Sequence, residues 1–225
     1  MSLKNKKIDG STSEGNIDVH YASFDETRYY KVENISIIVS GWPAVGKTTV
    51  AAELASEFGL KIYNGGDILK QIAIKRGYET SGNDWWDNEQ GRRFMRERRT
   101  DPSFDREVDD QLRDVVRRGN SIVTSYTLPW LVMDDCICIK LWLQGSQKNR
   151  AARMASRDHI GLTEATEIVK ERDYQNKRIY EELYGFKFGL DLSVFDFSLN
   201  TDMLDLASLV EISKNIIRKV KIRMK

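Results

Sequence analysis

The chain has 225 residues, 40% of them apolar, which suits one α/β domain with a modest insertion or at most two small domains. Its 35 lysine and arginine residues nearly match its 34 aspartate and glutamate residues, so the net charge of +1 excludes a global attraction to nucleic acid or to a membrane surface, and any basic site has to be local. No stretch approaches the roughly eighteen apolar residues of a membrane span and no apolar signal-peptide region stands near residue 1, so the cytoplasm is the expected location; His20 and His159 are too few and too far apart for a structural zinc site, and a monomer is the expected state.

Residues 1–33 are polar, with 9–15 reading as flexible, while Tyr21, Phe24, Tyr29 and Tyr30 would let the second half pack onto the rest. They are expected to form an extension, flexible or packed on the core, with no catalytic part. Residues 34–225 read as the main domain. The apolar run 35–39 predicts a first strand, and Val50, Leu54 and Phe58 at helical spacing predict a helix over 47–58 that Gly59 stops. Between them lies Gly41-Trp42-Pro43-Ala44-Val45-Gly46-Lys47-Thr48, followed by Thr49. Gly41 and Gly46 bend this segment so that successive backbone N–H groups point inward, and the positive end of the following helix adds to them. Such a concavity prefers a polyphosphate. Lys47 is expected to reach the outer phosphates of a bound nucleoside triphosphate, and Thr48 to ligate the magnesium that travels with it.

Residues 60–63 read as a second strand, Asn64-Gly65-Gly66 as a turn, and Asp67 as the cap of a helix running through Ile68, Leu69 and Ile72 to about Arg76. Asp67 and Lys70 then project from the carboxyl edge of the sheet. There Lys70 would hold an acceptor's phosphate as a point charge, and Asp67 serves as a cap, as an acceptor contact, or as both. Residues 78–102 are polar and less periodic, with Trp85-Trp86 and the cationic group Arg92, Arg93, Arg96, Arg98 and Arg99. They read as an inserted, mobile segment whose tryptophans anchor an exposed loop rather than stack on a base. A helix follows over 104–118, stopped by Gly119-Asn120. Asp105 and Asp109, one turn apart on it, either recognise an acceptor base or pair with basic side chains such as Arg113.

The third, fourth and fifth strands are expected over 121–125, 136–143 and 194–199, with a helix over 204–221 closing the domain. Cys136 and Cys138 share one face of the fourth strand and read as buried thiols. Strands separated by helices imply a parallel sheet covered on both faces, with ligands beyond the strands' carboxyl ends. In the charged helical region 150–184, Arg150, Arg153 and Arg157 recur on one face, and Arg172 and Arg178 follow beyond a turn at 158–162. They form either a closing lid that brings charge to a transferring phosphoryl group, or a solvated face paired with Glu164, Glu167, Glu171 and Asp173. The basic C-terminal helix, with Lys214, Arg218, Lys219, Lys221, Arg223 and Lys225, reads as solvated and dipole-paired rather than as an RNA-binding surface.

Residues 39–50, Gly66-Asp67-Ile68, Phe104-Asp105-Arg106-Glu107-Val108-Asp109, Leu141-Trp142-Leu143, Glu171-Arg172-Asp173, Lys177-Arg178, Tyr184-Gly185, residues 191–196 and Asn200-Thr201 occur in this order. Over about residues 35–222 this ordered set resembles the archaeal-type cytidylate kinases, a P-loop nucleoside monophosphate kinase family. The resemblance implies a P-loop NTPase three-layer α/β sandwich with a five-stranded parallel sheet. It further implies an acceptor-binding segment over about 64–118, an arginine-bearing helical lid over about 150–184, and magnesium-ATP as donor. By position it implies that Gly41, Trp42, Pro43, Ala44, Val45, Gly46, Lys47, Thr48 and Thr49 bind the donor phosphates, with Asn200 and Thr201 near the adenine. Asp67, Asp105 and Asp109 would face the acceptor, and Arg153, Arg157, Arg172 and Arg178 would serve the lid. The family carries arginine where this chain has Lys70, and a Gly-Arg pair where it has Ser125-Tyr126, so two bidentate phosphate clamps are absent. Phosphoryl transfer from ATP to CMP or dCMP is the expected activity. The alternatives are a small-metabolite kinase of the same fold and a non-catalytic nucleotide-binding regulatory module.

Overall fold

A computed structural model describes residues 35–80, 85, 89–132 and 137–220. The expectations for residues 1–33, Trp86, Cys136, Lys221, Arg223 and Lys225 lie outside the described residues. Strands β1 (Ser36–Gly41), β2 (Lys61–Asn64), β3 (Ser121–Thr124), β4 (Cys138–Gln144) and β5 (Phe197–Asn200) form one sheet in the order β2-β3-β1-β4-β5. Every pairing is parallel, with Ile37 opposite both Ile122 and Ile139, and Val39 opposite Leu141. The centre of the sheet is buried on both faces, which is why its strands read as near-continuous apolar runs.

Alternation along the strands divides the core. Ile38 and Val123 point to one face, where they meet Leu69, Ile72, Phe104 and Leu112 of helices α2 (Gly65–Lys75) and α4 (Ser103–Arg118). Ile37, Val39, Ile122 and Leu141 point to the other, against Val50 and Leu54 of α1 (Lys47–Phe58) and Leu209 of α8 (Leu206–Lys219). This is the three-layer arrangement that alternating strands and helices imply. Among the described residues no helix is long and apolar enough to cross a membrane.

Several local expectations are corrected. Helix α2 is capped by Asn64, whose side chain accepts from the Gly66 N–H at 3.0 Å, because β2 runs straight into the helix without a separate turn. Asp67 lies in the first turn instead, still favourable to the helix dipole. The segment expected to be mobile contains α3 (Glu89–Thr100), and Trp85 is completely buried, the aromatic packing expected of it. The Trp85 indole donates to the Glu79 carbonyl at 2.6 Å and packs near Phe94, which meets Tyr78 and Phe104 edge-on. Helix α3 escapes periodicity because its inward face is Gly91, Phe94 and Arg98, of which only Phe94 is a large apolar residue. Cys138 is half-buried rather than buried.

The short α5 (Leu128–Leu131) follows β3, and the charged region divides into α6 (Gln147–Asp158) and α7 (Leu162–Tyr184). Ser146 caps α6, and His159 in a left-handed conformation (φ 54°) ends it. Strand β5 begins at Phe197 because Asp196 is held just before it, exchanging hydrogen bonds with the Lys140 backbone.

Candidate active site

The loops after β1, β3, β4 and β5 converge at the carboxyl edge of the sheet, and residues 41–49 form its centre. Gly41 has φ 143°, and a Cβ there would collide with the Leu143 carbonyl across the β1–β4 ladder, so only glycine lets the chain leave the strand at this point. Gly46 (φ 93°) turns the loop into α1, and no side chain caps that helix, leaving its first N–H groups for an anion. Thr48 and Thr49 are exposed on the first turn. The Lys47 ammonium donates to the carbonyls of Gly41 (3.0 Å) and Trp42 (2.7 Å) and stands 4.5 Å from the centroid of the Tyr126 ring. Removal from water lowers its pKa to about 7, the charges of Arg150 and Arg172 push the same way, and Asp173 opposes them.

The predicted lid arginines have different neighbours. Arg150, buried in α6, makes a two-pronged pair with Asp173 of α7 (2.8 and 2.6 Å) and donates to the carbonyls of Gly145 (2.9 Å) and Pro43 (3.3 Å). One guanidinium thereby joins α6, α7 and the phosphate loop. Arg153 reaches past β5, donating to the Thr201 hydroxyl at 2.8 Å and to its carbonyl. Arg157 pairs with Asp158 at the exposed end of α6, and Arg178 pairs with Glu182 (2.7 Å) on the exposed face of α7. The Arg172 charge acts on both Lys47 and Tyr126. The fold therefore brings Lys47, Arg150 and Arg172 together and leaves Arg157 and Arg178 at the surface.

Among the predicted acceptor residues, Asp67 is exposed and the Lys70 ammonium lies 6.0 Å from the Trp85 ring centroid. Asp105 and Asp109 are both buried. Asp105 takes a two-pronged pair from Arg98 (Nε–Oδ2 2.8 Å), and Arg98 also reaches the Tyr180 hydroxyl at 3.3 Å, so α3, α4 and α7 meet at one cation. Asp109 accepts from the Thr127 hydroxyl and from Tyr184 (2.5 Å). Burial pushes the Asp109 carboxyl up to about 6 against those two donors. Arg113 pairs with Asp110 at 3.3 Å, so neither candidate aspartate has it as a partner. The buried network also includes Thr127, Tyr180 and Tyr184, which the sequence did not mark as candidates. Ser125-Tyr126, directly after a strand that neighbours β1, was the one available signal.

Behind the phosphate loop, Trp42, Gln144, Gly145, Ser146, Asn200 and Asp202 line a cleft of about 280 Å³. The Trp42 ring is flanked by Arg150 (5.4 Å) and Lys177 (5.2 Å) and meets Phe188 edge-on. A larger groove of about 620 Å³ beside Arg76, Asp101 and Arg106 lies on the outer side of α4 and includes none of these residues.

Three known proteins frame this geometry. The chain is 30% identical over 186 residues to a cytidylate kinase of Desulfurococcus amylolyticus, covering 83% of this chain and 94% of that one. It is 32% identical over 180 residues to a cytidylate kinase of Pyrobaculum aerophilum, covering 80% and 90%. An uncharacterized protein from Eubacterium ventriosum aligns in structure with a TM-score of 0.56 over 83% of this chain and all of that one at 15% identity, a likeness of fold alone. The profile of the cytidylate kinase-like family matches residues 36–203, from the first residue of β1 to just beyond β5. The chain belongs to the cytidylate kinase-like family.

Proposed function

We propose that this protein is a nucleoside monophosphate kinase that moves the terminal phosphoryl group of magnesium-ATP to CMP or dCMP. The observation that carries the reading is the uncapped N-terminus of α1 under a glycine-bounded loop, with the Lys47 ammonium held at its mouth. In this reading residues 41–49 hold the donor phosphates, and Asn200 and Thr201 stand by the adenine, beside the cleft behind the loop. Residues 64–118 form the acceptor side, with Asp67, Lys70, Asp105 and Asp109. Residues 150–184 form the lid, with Arg153, Arg157, Arg172 and Arg178.

Phosphoryl transfer needs alignment and charge neutralisation more than covalent help. Lys47 leaves its two carbonyl partners for the outer phosphates, and Arg172 adds positive charge on the same side. Magnesium retains most of its water and takes one or two protein ligands, so the exposed Thr48 hydroxyl on the first turn of α1 is a fitting donor. When bound, it would neutralise charge on the phosphate oxygens.

A coupled assay over CMP, dCMP, UMP, AMP and GMP tests the reading. Turnover with CMP or dCMP is expected, and no turnover with any of the five would reject it. A second reading, a small-metabolite kinase of the same fold, is favoured by two features of the acceptor side. Lys70 is directed at the Trp85 ring, and an aromatic residue, Tyr126, stands next to Lys47. Transfer to a non-nucleotide alcohol in the same assay would establish it.

A further inference from the structure

Tyr126 lies two residues past β3, and its backbone carbonyl accepts from the Ser40 hydroxyl at 3.3 Å, which ties it to the root of the phosphate loop. Its neighbours hold it from both sides. Ser125 Oγ accepts from the N–H groups of Thr127 (3.2 Å) and Leu128 (3.1 Å), and Thr127 is fastened to buried Asp109. The half-buried ring meets Phe188 edge-on at 5.7 Å and lies 6.2 Å from Tyr180, with the Lys47 ammonium 4.5 Å from its centroid.

The hydroxyl has no hydrogen-bond partner among the described residues, although its surroundings are rich in charge. Arg172, Arg98 and Arg150 act on the phenol, with Asp173 the opposing anion, while burial keeps it protonated at neutral pH. A pre-positioned neutral O–H donor, surrounded by cations and without a partner among the described residues, is suited to an anionic oxygen. Because the ring touches the lysine assigned to the donor's outer phosphates, that oxygen belongs on the acceptor side of the transfer.

Resting on the kinase reading above, we propose that Tyr126 recognises the acceptor's phosphoryl group, its phenolic O–H donating to a phosphate oxygen beside the Lys47 ammonium. A single neutral donor replaces a charged fork, so the acceptor phosphate is held by one directional hydrogen bond while the arginines supply charge from farther away.

Tyr126→Phe keeps the ring and its contact with Lys47 and removes only the hydroxyl. Calorimetric titration of wild type and this variant with CMP and with cytidine, alongside steady-state kinetics, isolates the hydrogen bond. The expected result is about tenfold weaker CMP binding and a matching rise in acceptor KM, with cytidine binding and the KM for ATP unchanged. If wild type turns over CMP and the variant does so with the same acceptor KM, the assignment of Tyr126 is overturned while the kinase reading stands. A wild-type chain that phosphorylates none of the monophosphates overturns the kinase reading and this assignment with it.

Discussion

In the proposed reading, the donor and acceptor sides of the cleft are built from different materials. On the donor side the recognition surface is backbone: a bend at Gly41 and Gly46 and the open end of α1, with Lys47 as the main side chain. On the acceptor side it is side chains from distant segments, with Arg98, Asp105 and Tyr180 joining three helices and Asp109, Thr127 and Tyr184 joining α4, the loop after β3 and the end of α7. A backbone site survives changes in its neighbours because only a few residue types can adopt its conformation. A side-chain site depends on every element that carries a member, so its specificity can change while the fold stays the same.

The largest effect should come from the one side chain the donor site cannot lose. Lys47→Ala is expected to lower kcat by at least about 10³-fold with little change in melting temperature, since removing a pre-positioned charge from a phosphoryl-transfer site is worth that much. Activity within tenfold of wild type would dissolve the contrast between the two sides.

Next come the buried ion pairs. Arg150→Met strands Asp173 on the donor side, and Arg98→Met strands Asp105 on the acceptor side. Each pair is almost fully buried, so each variant should lose about 3–5 kcal/mol in urea unfolding. In the double variant Arg98→Met/Asp105→Leu much of that loss should return, because an apolar pair leaves no uncompensated charge. Losses below about 1 kcal/mol in both single variants would show that the pairs are not holding the helices.

Two pH effects sharpen the comparison further. Burial raises the Asp109 carboxyl to about 6, so the folded state holds its proton more tightly than the unfolded chain does. Its contribution to stability is complete below the ordinary carboxylate range and is lost as pH rises through about 6, a change on the order of 3 kcal/mol. Asp109→Asn should flatten that slope in thermal melts between pH 4 and 6.5. An unaltered slope would remove Asp109 as its source. Lys47 has the opposite sign: with its pKa lowered to about 7, stability rises with pH from about 7 to the ordinary lysine range, because there the unfolded chain binds more protons. A polyphosphate favours the charged ammonium, so ATP binding at pH 8 should take up close to one proton. Calorimetry in two buffers of different ionisation enthalpy reads this directly, and identical heats would contradict it.

The smallest effect is expected at the surface. Arg178→Ala breaks an exposed pair one helical turn long and should leave the urea-unfolding midpoint unchanged, so a fall in its turnover would isolate a role in lid closure.

Residues 41–49, β1 and α1 were legible in the amino-acid order because their information is local: glycine offsets, an apolar run before them and helical spacing after them. The five parallel strands followed from the same rule and their edges moved by up to three residues; at Asn64 and Phe197 a side-chain cap and the Asp196 hydrogen bonds set the boundary. Helix α3 was hidden because a face of glycine, one phenylalanine and an arginine has no apolar period, and Arg98 becomes a core residue only when Asp105 and Tyr180 arrive from other helices. Tertiary structure likewise decided that Arg150 is a strut and Arg178 a surface group, although both stand in one charged stretch. Conformational requirements of the backbone are written in neighbouring residues, whereas the partner of a buried charge is chosen by packing between segments far apart in the chain.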